Sequence, residues 1–383
     1  MKTIKKITVL SALLVFSLYA CMGCNTPLSV NGSGKVVARN FNFTGFTKVS
    51  VTCLMDVNIM QGDTFKVEAR LDDNLFDYFN VSMKGDTVHV AFERGIFSIA
   101  GYKEAALFVT MPKLDDAYIS HGGKATISGF KQPDDEITIT NYASDDMHID
   151  VSVKALNLIN THGNNVSVKN GNGEAAASQS LNIIMKGTGS VTAKGSAQHV
   201  RLTNSGSGTF KGAGLQAQQA IVDLSGTGHA EITVQKLLQA SISSSGDIIA
   251  HGTAEQVRLH SSSTGHLKAG DLKAKEVYLT CTSSGRADVH VLEKLEATVE
   301  NTGSVTAKGT AESVSFKSSS SGSLKALDVN AKKAVITCTD TGGAAISVSE
   351  ALQVTGNGSG RIVYRGNPSR LNILTKNRVT RIE

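Results

Sequence analysis

Four aspartates, Asp247, Asp271, Asp288 and Asp328, come closest to a catalytic set in this chain. Clustered carboxylates on a repetitive β wall are what a glycan lyase or hydrolase needs, one to give a proton and one to activate a nucleophile. Such a pair must sit in unlike environments. Asp271 and Asp328 are instead separated by one full period of the array described below, as Gly246 and Gly303 are. They read as one solvated repeat position used twice. Among the histidines, His121 lies beside Gly122-Gly123, and His148 with His162, or His251 with His260, are the pairs that could converge on a metal. No spacing fixes them. Cys53, Cys281 and Cys338 show no CxxC or Cys/His metal pattern. GxSxG, HExxH, the phosphate-binding loop and the EF-hand are absent, as is the calcium-binding GGxGxD nonapeptide. The expectation is a chain that is not an enzyme, with no catalytic residue, cofactor or metal. A glycan-active enzyme on a β-helix is the second reading.

What could position any of these residues is a glycine beat. It is marked by Gly189, Gly208, Gly228, Gly246, Gly265, Gly285, Gly303, Gly322, Gly342 and Gly360. Their intervals cycle through medium, long and short, three times over, at about 18–20 residues each. One cycle carries Gly189 to Gly246, the next Gly246 to Gly303 and the third Gly303 to Gly360, without drift. Gly123, Ser144 and Gly163 carry the beat backwards, giving about twelve units between Gly123 and Gly360. A fixed period of this size marks a solenoid or a related array. Residues eight and six before each glycine, and two and four after it, are apolar or Gly throughout; Val257, Leu259, Leu267 and Ala269 around Gly265 are one set. Period two on both sides of a turn means two half-buried strand segments per unit. The fold expected is all-β, a parallel β-solenoid (β-helix) of about twelve coils of about 18–20 residues behind an N-terminal β region. The competing geometry makes each unit a hairpin, three to a turn of a prism, and brings Cys281 and Cys338 together. In the solenoid those cysteines are three coils apart, roughly 14 Å at ~4.8 Å per strand, too far for a disulfide.

The remaining divisions follow from where the beat is missing. Residues 1–24 read as a signal peptide, with Lys2, Lys5 and Lys6 before an apolar run from Ile7 to Tyr19. The run is too short for a comfortable membrane span and ends in two lipobox-like cysteines. Cys24 is the favoured lipidation site and Cys21 the alternative. Residues 25–34 form a tether, 35–118 an N-terminal β region or cap holding most of the aromatics, 119–366 the repeats, and 367–383 a C-terminal cap over an edge that would otherwise pair with other chains. The segment Asn170-Gly171-Asn172-Gly173-Glu174 makes the interval from Gly163 to Gly189 the longest of the series. It reads as an exposed insertion, and Asn170, Asn172 and Glu174 are the candidate recognition loop. Ser261-Ser262-Ser263-Thr264 and Ser318-Ser319-Ser320-Ser321 read as polar ladders on an outer face able to hold a glycan. The formal charge is +5, of which the three leader lysines form part, so nothing argues for nucleic acid.

Some of these stretches also resemble a known family. Phe46-Thr47-Lys48-Val49, Val57-Asn58-Ile59-Met60-Gln61-Gly62, Val109-Thr110-Met111-Pro112-Lys113-Leu114, the serial Ser-Gly-x-Gly turns and the closing Gly358-Ser359-Gly360-Arg361-Ile362-Val363-Tyr364-Arg365-Gly366-Asn367-Pro368 are similar to the head GIN domain family. The resemblance covers roughly residues 40–370, with extra copies of the three-unit block. It implies a β-helical envelope lipoprotein of the kind common in Bacteroidetes, anchored to the outer membrane by its N-terminal lipid on the periplasmic or the surface face. It implies an adhesin-like or structural binding module whose partner is a glycan or another envelope protein, as a monomer or homo-oligomer. An assembly or signalling role with another envelope protein is the third reading.

Overall fold

The computed structural model describes residues 28–93, 96–170 and 178–383. The leader with Cys21 and Cys24, and Asn172 and Glu174 of the insertion, lie outside the described residues. Every repeat strand from Ala125 to Gly356 pairs in parallel with the strand one unit on, so each unit is one coil of a parallel β-solenoid. Hairpin units would require antiparallel neighbours, which excludes the prism. Cys281 stacks on Val299, then Ser318, then Cys338, three coils along, and both thiols are free and buried. Burial pushes the thiol of Cys53 up to about 12 and those of Cys281 and Cys338 to about 11, so none is a thiolate nucleophile at neutral pH.

The apolar columns stack residue on residue. Ala220, Leu238, Val257, Val277, Leu295 and Val314 are consecutive register partners, and each is almost fully buried. Alternation along each strand turns the polar residues outward, which is how one narrow core serves a rod built from a single wall. The marker glycines sit where successive turns touch. A Cβ on Gly208 would overlap the Gly189 carbonyl, and one on Gly228 would overlap that of Gly208. Backbone hydrogen bonds link these turns from coil to coil, such as Gly228 N–H to Gly206 O (3.2 Å) and His229 N–H to Gly208 O (3.2 Å).

The cycle of intervals has its cause at the second corner, in mid-strand. Gly195, Gly252, Gly309 and Gly366, each one full period from the next, turn that corner with φ between 102° and 114°. A Cβ on Gly252 or Gly309 would also overlap the carbonyl of Val234 or Val291 in the preceding coil. In the longest coils the same corner is a bulge, with register breaks after Gly212, Ala269 and Ala326. The shortest coils make it with the fewest residues. Three corner designs therefore alternate, and every third coil restores the first.

The stack has about 14 turns, more than the twelve read from the beat. The additional turns lack the marker glycine. The strand Lys48–Val51 lies between Thr87–Phe92 and Asp116–Ser120, while Asp56–Gln61 lies between Ala105–Met111 and Ala125–Tyr142, all in parallel. Chain order and stacking order thus differ at this end. Antiparallel strands finish it: Val36–Phe41 and Lys66–Asp72 on one side, Phe79–Lys84 on the other. Phe41, Phe76 and Phe92 pack around Phe79 with ring centroids 5.3–6.3 Å apart. At the other end, Arg370–Thr375 and Arg378–Ile382 add one more coil in parallel register. Leu371 and Ile373 continue the inward columns of Leu352 and Val354 yet remain 47% and 41% exposed, so this coil extends the stack without covering its core.

Candidate binding groove

Two outward columns on the strand segments before each marker glycine line a shallow groove of about 560 Å³. One column is Ile221, Gln239, Arg258, Tyr278 and Glu296; the other is Asp223, Ser241, His260, Thr280 and Thr298. Five coils contribute one residue to each column. The groove therefore runs along the solenoid axis for four strand spacings, roughly 19 Å.

The first column is a fixed wall. Arg258 Nε donates to Gln256 Oε1 (2.7 Å), and Gln256 Nε2 donates to Glu276 Oε2 (3.0 Å). The Tyr278 hydroxyl donates to the same Glu276 oxygen (3.1 Å) and accepts from Lys294 Nζ (3.4 Å). The Tyr278 ring lies between two cations, Lys294 Nζ at 4.9 Å and the Arg258 guanidinium at 5.8 Å from its centroid. These hydrogen bonds, that from Gln256 first, hold the Glu276 carboxyl below its ordinary range. The Tyr278 hydroxyl, and then Glu296, hold the Lys294 ammonium above its own. The facing column is short, with Ser241, His260, Thr280 and Thr298 offering hydroxyl and imidazole groups. Such a trough can take many hydrogen bonds from a linear ligand. The two carboxylates among its lining residues do not form a glycosidase pair. Asp223 and Glu296 are four strand spacings apart, roughly 19 Å, where that chemistry needs about 5–9.5 Å. Asp223 is also within 3.6 Å of Arg201.

The segments after each marker glycine carry a different face, a ladder of alternating charge. Asp247 binds Lys268 (2.8 Å) and lies 3.9 Å from His229; Glu231 binds His251 (3.1 Å); Asp288 binds His266 (2.8 Å). Two of the four aspartates singled out from sequence are thus already engaged, Asp247 by Lys268 and Asp288 by His266. Asp271 and Asp328 are set at the second corner, three coils apart. His251 and His260 are on separate faces. His162 meets the Tyr142 ring edge-on with centroids 5.9 Å apart, away from His148, which is in register with Thr126 and Ser167. His121 turns with φ 59° and its Nδ1 is 2.6 Å from Ser120 Oγ. Among the described residues no group of three or more His, Cys, Asp or Glu is placed to hold a metal.

Three readings from sequence need correction. Asn170 is fully buried at the end of the strand Val166–Asn170, so it is part of the wall and not of an exposed loop. Ser261 and Ser318 are likewise inside, at 0% and 1% exposure. They belong to the inward column that also holds Asn160, Met185 and Asn204, because alternation along the strand fixes their side, and only their neighbours face water. The groove residues themselves were missed. The same glycine alignment exposes them, since Tyr278 is the one aromatic seven positions before any marker glycine from Gly189 to Gly360.

A parallel β-solenoid with a lateral groove and a paired-charge face belongs to the class of repeat proteins that present long, rigid surfaces. The particular family follows from the sequence match. The model described as putative auto-transporter adhesin, head GIN domain, matches residues 45–254, 238–311 and 301–368, and the chain belongs to that family. No curated protein matches it. Similar solved structures include a putative adhesin from Parabacteroides distasonis ATCC 8503, 17% identical over 93% of this chain and 100% of that one, with a TM-score of 0.24. Others are a putative adhesin from Bacteroides fragilis NCTC 9343 (14%, 92% and 98%, 0.28) and a putative lipid binding protein from Parabacteroides distasonis ATCC 8503 (14%, 93% and 100%, 0.24).

Proposed function

We propose that the chain is a non-catalytic, adhesin-like binding module of the cell envelope that takes a glycan chain lengthwise in the groove beside Tyr278. The observation that carries this is the interlocked wall from Gln256 to Glu296, set opposite a row of hydroxyls at strand spacing. A wall already fixed by its own hydrogen bonds loses little entropy on binding. Sugar hydroxyls both donate and accept, as Gln239, Ser241, His260 and Thr280 do. Carboxylates too far apart to act as a pair suit retention of the glycan and not its cleavage.

Titration calorimetry with neutral β-1,4-linked glucan, xylan, mannan and chitin oligomers tests this reading. At least one should bind, and Tyr278→Ala with Gln239→Ala should weaken it about tenfold or more with the circular dichroism unchanged. Unchanged affinity in that double variant removes the groove reading, and release of reducing ends removes the non-catalytic one. Family membership and the leader motif together support anchoring by a lipid on Cys24. Cys24→Ala should then leave the membrane fraction, and its retention would move the anchor to Cys21.

A further inference from the structure

From the coil of His229 to that of Arg286 the charges on the second face are paired, and there the pairing stops. Register stacks His266, Arg286, Ser304 and Ser323 in one column, and Lys268, Asp288, Thr306 and Lys325 in the next. Arg286 would find its anion in Asp288, two positions along the same strand, but that carboxylate is held by His266 at 2.8 Å. The following coil offers Ser304 and Thr306, which are short and neutral. Arg286 and Lys325 are exposed and, among the described residues, neither forms an ion pair. Between them the short side chains leave a depression of about 510 Å³. Its rim at the turns is closed by Ser284 and Thr302, whose hydroxyls are 2.8 Å apart.

We infer that this depression is a second binding site, for a saccharide that carries carboxylate or sulfate groups. Arg286 supplies a planar fork that matches either anion with two parallel hydrogen bonds. Lys325, two strand spacings away and one column over, or roughly 12 Å between backbones, supplies a point charge for the next anionic group along the chain. The four hydroxyls between them match the uncharged part of a sugar, which a bare cation pair would not. Asp288 at the edge repels an anion placed too far toward His266 and so sets the ligand's position. The site is on a different face from the groove and does not rest on the groove reading.

The full chain is titrated with chondroitin sulfate, desulfated chondroitin, dextran sulfate and neutral dextran. Binding is expected for at least one anionic chain and not for dextran. Dextran sulfate alone among the last three would assign sulfate, and desulfated chondroitin alone would assign carboxylate. Arg286→Ala should weaken binding about tenfold or more, and Arg286→Lys less. Lys211→Ala removes another exposed lysine from the same face and should change affinity less than twofold. Ser304→Tyr keeps every charge and fills the depression, and should also abolish binding. Tyr278→Ala, in the groove, should leave it intact. The inference is overturned if no anionic chain binds, if dextran binds as well, if Arg286→Ala and Lys211→Ala fall equally, or if Ser304→Tyr binds like the parent.

Discussion

The inward column four positions before each marker glycine shows how one residue sets a turn. Asn204 Nδ2 donates to Gly208 O (2.8 Å) while its Oδ1 accepts from Gly206 N–H (3.1 Å). Ser318 Oγ donates to Gly322 O (3.2 Å). Ser261, the equivalent of both, has a buried hydroxyl with no hydrogen-bond partner. A satisfied buried hydroxyl is worth about 1 kcal/mol, and an unsatisfied one costs about 1–3 kcal/mol. Ser261→Ala should therefore stabilise the chain by about 1 kcal/mol, whereas Ser318→Ala should cost about as much. Denaturant melts read both, and a destabilised Ser261→Ala would contradict the account. The triad Asn204, Ser261 and Ser318 was legible as a repeat position. Its inward direction was not, because Ser261 and Ser318 were read with their polar neighbours and not with the strand's alternation.

At the level of the coil, the medium, long and short lengths are three ways of turning the second corner, and each fits the coil below it. Removing residues 246–302 takes out one whole set and places Gly303 where Gly246 stood, with corner Gly309 in the position of Gly252. That shortened chain should keep one cooperative transition, with a melting temperature within about 5 °C of the parent, since repeat stability is a sum over neighbouring interfaces. Removing only 246–264 takes out a single coil and its Gly252 corner, and seats a coil of the longest type directly above one of the shortest. It should melt lower than the larger deletion although it removes less of the chain. Calorimetry on the two chains decides this, and the reverse order would mean that the corners are interchangeable. The length pattern was plain in the sequence. Its cause was not, because the corner lies in mid-strand and only every third one carries a left-handed glycine.

Over the whole molecule, the two ends are built differently. Antiparallel strands and a cluster of phenylalanines close the N-terminal end, whereas Leu371 and Ile373 continue the core columns into solvent at the other. The rod between them presents two distinct faces, one a groove with a fixed polar wall and one a ladder whose charge pairing lapses at Arg286. The sequence by itself determined the repeat, its period and the buried columns, because each depends on alternation within one strand and on glycine at a tight contact; that the coils stack in parallel, and not as hairpins, was decided by the strand pairing. It also carried the family, in short motifs spread along the chain. The tertiary structure decided what no single unit contains: that Lys48–Val51 and Asp56–Gln61 slot between later strands, that Asn170 is inside, and that His251 and His260 face apart. It also decided both candidate sites. Each is assembled from one to three residues per coil across several coils, so members from different coils lie a whole coil apart in the chain and become neighbours only at the strand spacing of the folded stack.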